Sequence, residues 1–193
     1  MKSMPDYYGL RLCEISAAIA AGAAAGATGL WLLHPVAAMA AGYMVFSVLM
    51  IVVIDSRHFI IPDIFSLPAI PLGLATVPFV PDPGFGGLAG HVAAAGLAAA
   101  ALYLLARFYR KARGIEGLGL GDVKLAAAAG SWTGLDGLPM VLLLASGAAL
   151  LAVLLRNRVI RGDRASLMTP VPFGSFLAPA ILIVWCFGLS GPY

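Results

Sequence analysis

The chain has 193 residues, 61% of them hydrophobic and 11% charged, with a mean hydropathy of +0.96 and a formal charge of +3. Water-soluble domains carry roughly 45–50% apolar and about 25% charged residues, so this composition excludes one and indicates a polytopic membrane protein, read as a single domain over residues 1–193. Two isolated cysteines, Cys13 and Cys186, exclude a cysteine-built zinc ribbon or redox pair and are expected to be small buried thiols. Nothing resembles a basic, aromatic-interleaved surface for nucleic acid; the positive charge points instead to anionic lipid headgroups.

A membrane-crossing helix needs about 20 mostly apolar residues. The opening Met1-Lys2-Ser3-Met4-Pro5-Asp6 is too polar and too weakly basic for a signal peptide, so the first apolar run, about Leu12 to Leu33, is expected to stay as a helix. Its Ala and Gly content predicts close packing on a neighbour. His34-Pro35 breaks it. A second helix is predicted from Val36 to Ile54, ending at Asp55, with Ser56 to Ile61 as a loop. Pro62 is placed to open a third, where its missing N–H costs nothing. That helix runs to about Val80, with Pro68, Pro71 and Pro78 expected to kink it. After a turn-rich stretch from Pro81 to Gly87, a fourth spans about Leu88 to Tyr109. A basic, Gly-rich loop leads to a fifth, from Asp122 to about Thr133, which at 1.5 Å per residue is short for a full crossing. Gly134-Leu135-Asp136-Gly137 reads as a loop, followed by a sixth helix over Leu138–Leu155, a basic loop from Arg156 to Ser166, and a seventh helix over about Phe173–Leu189. The expected fold is an all-α bundle of about seven spans.

Charge orders these segments. With the N-terminus inside, alternate segments hold Lys2 and Arg11; Arg57; Arg107, Arg110, Lys111, Arg113 and Lys124; and Arg156, Arg158, Arg161 and Arg164, which are all 12 Lys and Arg residues. The other segments hold His34, Asp82 and Asp136. By the positive-inside rule the basic segments are cytoplasmic. The same topology puts Asp55 and Asp122 on that side.

These two acids draw attention because a carboxylate at the mouth of a membrane helix is costly. Asp122 lies in Gly117-Leu118-Gly119-Leu120-Gly121-Asp122-Val123-Lys124-Leu125, where the glycines allow positive φ and close backbone approach. Two carboxyls near enough to share a proton can hydrolyse a peptide, one drawing a proton from water and the other donating to the carbonyl oxygen. The structural alternatives are an N-cap role for Asp122 and an ion pair of Asp55 with Arg57 or Arg113. Asp63 reads as a capping or supporting group. Lys124 is expected to snorkel to headgroups. His58 reads as a solvated loop residue, and His34 and His91 as interface residues. There is no histidine or cysteine spacing for a metal, and no cofactor is expected.

At these residues the chain resembles the prepilin peptidase family, the GxGD-type aspartic proteases also called type IV leader peptidases. The resemblance rests on Asp55 followed by Ile61-Pro62-Asp63, on Gly119-Leu120-Gly121-Asp122 followed by Val123-Lys124-Leu125, and on Pro172-Phe173-Gly174, in order over about residues 40 to 180. It implies Asp55 and Asp122 as the catalytic pair, with Gly119, Gly121, Pro62, Asp63 and Lys124 around them. It implies removal of the short basic leader of type IV prepilins or type II secretion pseudopilins, at the cytoplasmic face of the bacterial inner membrane. Longer members carry an N-terminal domain with paired CxxC motifs tied to N-methylation. Only about eleven residues precede the first helix here, so N-methyltransferase activity and zinc are not expected. The competing class is a non-enzymatic membrane component, a small transporter or pilus-assembly scaffold, using the same acids for ion pairing.

The segregation of Lys and Arg makes a topology prediction. Reporter fusions after His34 and Gly84 should report the periplasm, and fusions after Ser56, Arg113 and Arg161 the cytoplasm. An external Arg161 with an internal Arg113 would remove the fifth segment as a span.

Overall fold

The computed structural model describes residues 10–79, 87–114, 118–159 and 171–190. Among the described residues there are helices and no strand: α1 (Leu12–Leu32), α2 (Pro35–His58), α3 (Asp63–Thr76) continued by a 3-10 turn (Val77–Phe79), α4 (Gly87–Arg113), α5 (Leu120–Val159) and α6 (Gly174–Ser190). Four of these, α1, α2, α4 and α5, are long and apolar enough to cross a membrane, while α3 with its turn and α6 are shorter apolar helices.

The sequence reading divides α5 by a loop at Gly134–Gly137. The structure replaces that loop with a break on one residue, Gly134, at φ 62° and ψ −170°, and helical bonding resumes at once. Only glycine takes such a conformation cheaply, and the imidazole of His91 closes over it, with Cε1 3.0 Å from where a Cβ would stand. Divided there, the helices form seven apolar segments in the expected order, although four helices have the length and hydropathy of a span.

Helix ends differ from the apolar limits in a consistent way. The sequence reading ends the second helix at Ile54, but α2 continues to His58 and closes on Phe59, which adopts the left-handed conformation at φ 55°. Likewise α4 continues past Tyr109 to Arg113 and closes at Gly114, at φ 71°, and α5 continues past Leu155. Hydropathy marks where a bilayer ends; hydrogen bonding stops only where a residue breaks it. The basic residues in these last turns also suit the negative ends of the helices. The expectation for the cysteines is corrected as well. Cys13 and Cys186 are exposed on the outside of the bundle rather than buried, because each lies on the outward face of its helix. His91 is buried near the start of α4, with Nδ1 2.9 Å from the carbonyl oxygen of Gly87.

Packing uses small residues and shared backbone bonds. A Cβ on Gly22 would stand 2.7 Å from the Gly42 carbonyl oxygen, and one on Gly29 would stand 3.1 Å from Ala38 Cα, so α1 and α2 touch along backbone, as the small residues of α1 predict. The main core joins Ala40, Met44 and Ile51 of α2 to Leu125, Ala129 and Trp132 of α5 and to Leu177, Ile181 and Trp185 of α6. Trp132 meets Trp185 edge-on at 4.9 Å, and its indole N–H donates to the Ala69 carbonyl at 2.7 Å.

Pro68 lies inside α3 and lacks the N–H that would bond the Ile64 carbonyl. The Tyr43 hydroxyl donates there instead, at 3.2 Å, and to the Phe65 carbonyl at 3.1 Å. Tyr43→Phe removes that donor and should lower stability by about 1 kcal/mol in reversible unfolding from detergent or bicelles. A Tyr43→Phe protein as stable as wild type would show that the Ile64 carbonyl has another donor.

Candidate active site

The first N–H groups of a helix have no partners within it. At one end of this bundle, three such helix starts meet the end of α2. Asp55, in the last turn of α2, is 4% exposed. Its Oδ2 accepts the backbone N–H of Ser175 at 2.7 Å and the Ser175 hydroxyl at 3.0 Å. Ser175 is the second residue of α6, so the carboxylate of one helix caps the start of another and sits at the positive end of its dipole.

Asp122 is held in a related way at the start of α5. The sequence reading begins the helix at Asp122 and offers it as an N-cap. The helix begins instead at Leu120, so Asp122 is its third residue and reaches back: the Gly119 N–H donates to its Oδ2 at 3.2 Å. This is one half of a capping box. The other oxygen, Oδ1, is buried without a hydrogen-bond partner among the described residues. Asp55 and Asp122 thus stand at the same end of the bundle, each held by the start of a helix.

Ile61 separates and registers the two helix starts. It is 8% exposed and fills the space between them. A Cβ on Gly121 would stand 2.9 Å from Ile61 Cβ, and one on Gly174 would stand 2.5 Å from Ile61 Cδ1 and 3.1 Å from Asp55 Oδ2. Close approach, then, requires Gly121; the positive φ expected of the glycines is absent there, and the described positive-φ glycines are Gly87, Gly114 and Gly134. Gly119 is exposed and contributes its N–H to Asp122. Gly117 lies outside the described residues.

The remaining expected residues frame this centre. Pro62 is buried, precedes α3 and accepts the N–H groups of Phe65 and Ser66 on its carbonyl, at 3.1 and 3.3 Å. Asp63 is the first residue of α3 and pairs with Lys124 at 2.6 Å, tying the start of α3 to the start of α5. Lys124 therefore has an acidic partner in place of the free snorkelling position expected. Arg57, one of the two partners that the structural alternative offered for Asp55, pairs with Glu14 and ties α1 to the end of α2. Asp55, Asp122, Gly119, Gly121, Pro62, Asp63 and Lys124 are all brought to one end of the bundle. His58 is the last residue of α2 and is exposed.

Sequence reasoning missed Ser175 as the donor to Asp55 and Ile61 as the wedge. A serine just inside an apolar run after Pro172-Phe173-Gly174 is a helix-start signal. Its distant partner has no signature in a single chain.

The sequence profile of the Type IV leader peptidase family matches residues 42–155. The chain belongs to that family. The match covers α2 from Gly42 onward with Asp55, all of α3 and α4, and α5 as far as Leu155 with Asp122. Relatives include proteins named prepilin leader peptidase/N-methyltransferase. The one from Pseudomonas aeruginosa is 36% identical over 141 residues, covering 68% of this chain and 44% of the relative. The one from Burkholderia pseudomallei is 35% identical over 170 residues, covering 84% and 49%. The one from Dickeya chrysanthemi is 37% identical over 130 residues, covering 65% and 42%. This leader peptidase family member thus spans about half the length of the curated relatives it matches. No solved structure matches it.

The wedge is testable by a double-mutant cycle. Gly174→Ala forces a methyl against Ile61 and should cost about 1–3 kcal/mol of stability. Ile61→Ala in the same chain should recover part of that loss, because the two sites share one space. Unfolding in detergent measures both; strict additivity of the two changes would show that Ile61 does not register Gly174.

Proposed function

We propose that this chain is an aspartic endopeptidase that removes the short basic leader of type IV prepilins or type II secretion pseudopilins. Family membership supports the peptidase class. The observation that supports the reading is that Asp55 and Asp122, two acids distant in sequence, come to the same end of the bundle, each held through Oδ2 by a helix-start N–H, with Asp122 Oδ1 buried and unpartnered among the described residues.

Such a pair carries one shared proton and titrates as a unit. The ionised carboxylate takes a proton from water as its oxygen attacks the scissile carbonyl carbon. The protonated carboxyl donates to the carbonyl oxygen, giving a neutral tetrahedral diol. Proton transfer to the amide nitrogen then breaks the C–N bond, and the new carboxyl end and free amine leave. The helix-start N–H groups hold the acids in place through the cycle. Gly119 and Gly121 let the backbone before Asp122 come close, Pro62 sets the start of α3, and the Asp63–Lys124 pair keeps α3 beside α5.

We place this reaction at the cytoplasmic face of the inner membrane, in a bundle crossing it about seven times. The support is the confinement of every Lys and Arg to alternate segments. Membrane lipids and the prepilin are then the partners.

Asp55→Asn and Asp122→Asn keep size and lose the ionisable carboxyl. Each should lower prepilin cleavage by the purified chain in detergent about a hundredfold or more. The double variant should be hardly worse than either single one, as expected for residues acting as a unit. Helical content and elution volume check folding beside activity. A folded single variant that cleaves at the wild-type rate would overturn the proposal and favour the non-enzymatic scaffold.

A further inference from the structure

α4 is 27 residues long, about 40 Å at 1.5 Å per residue, and exceeds a ~30 Å hydrocarbon core. Its last turns carry Arg107, Arg110 and Lys111. With Tyr103 these fall at spacings of three and four and share one face. They line an open cleft of about 380 Å³ whose other side is Leu118 and Leu120, just before and inside the start of α5. That volume lies within the roughly 300–1,000 Å³ range of ligand sites. Alongside Lys111 on α4, Leu104 and Phe108 are 61% and 72% exposed.

Cations and exposed apolar surface side by side suit an amphiphile. A soluble anion would use the cations and leave the apolar flank idle. Two guanidinium groups one turn apart offer paired N–H donors to phosphate oxygens, and an ammonium adds a third contact. We infer that this cleft binds the headgroup of an anionic phospholipid, its phosphate held by Arg107, Arg110 and Lys111 and its acyl chains lying along Leu104 and Phe108. The inference does not rest on the proposed peptidase activity. It does place a lipid against Leu118 and Leu120, the neighbours of the Gly119 N–H that holds Asp122.

The test uses the full chain, purified in a neutral detergent and titrated with phosphatidylglycerol or phosphatidylcholine, with bound lipid counted by native mass spectrometry. Phosphatidylglycerol should be retained in preference to phosphatidylcholine. Removing each cation should weaken retention roughly fivefold, from about 1 kcal/mol per basic residue near a charged surface. The Arg107→Gln, Arg110→Gln, Lys111→Gln triple variant should therefore lose nearly all preference. Arg156→Gln, Arg158→Gln, Arg161→Gln, with the same loss of charge, should retain it. If the first triple variant fails to elute as folded protein, the three single variants carry the prediction. Equal loss in both triple variants would overturn the proposal in favour of diffuse attraction. Inorganic phosphate that displaces the lipid fully at equal concentration would overturn it in favour of a soluble-anion site.

Discussion

A carboxylate among apolar helices must find donors, and here they come from the starts of other helices. The bond from Ser175 to Asp55 is the contact on which this end of the bundle depends. It fixes the start of α6 against the end of α2 and brings Gly174 onto Ile61. Ile61 in turn presses on Gly121, one residue from Asp122. One capped helix start thus ties Asp55, through Gly174 and Ile61, to the start of the helix that carries Asp122. The arrangement serves two needs: unpaired N–H groups gain an acceptor, and a buried anion gains donors.

The same rule governs the rest of the fold. Little water reaches the interior of such a bundle, so each backbone group freed by a proline or a kink needs a partner from a neighbour. Tyr43 supplies one to Ile64, below Pro68. Trp132 bonds the Ala69 carbonyl and packs on Trp185, tying α3 to α5 and α5 to α6. The small residues of α1 and α2 let their backbones touch, which in lipid replaces the burial that drives helices together in water.

Ion pairs have a different role. Glu14–Arg57 and Asp63–Lys124 are partly exposed, and water screens such pairs so that they add little stability. Their value is in direction: each links the helix that carries a site acid to a neighbour, α2 to α1 and α5 to α3. Both lie at the end of the bundle that holds the acids. The basic face of α4 continues this charged end and borders the segment leading to Asp122.

Much was legible in the sequence because it follows from local chemistry. Apolar runs of sufficient length, broken at His34-Pro35 and Gly134, identified the helical segments and their order, since hydropathy and backbone breakers act residue by residue. The two acids stood out because a carboxylate in that setting needs a reason, and charge segregation assigned them one side. Helix ends were misread at Asp55–His58 and at Tyr109–Arg113, because polar residues end an apolar run without ending a helix. Only the tertiary structure decided what each acid bonds to. The reach of Asp122 back to Gly119 needed the true helix start, and the pairing of Asp55 with Ser175 joins residues 120 apart. The need for Gly121 likewise came from Ile61 across the contact, not from backbone φ. Periodicity and composition report a residue's own preference, whereas a cap or a wedge between helices is a property of two distant segments and exists only once they have packed.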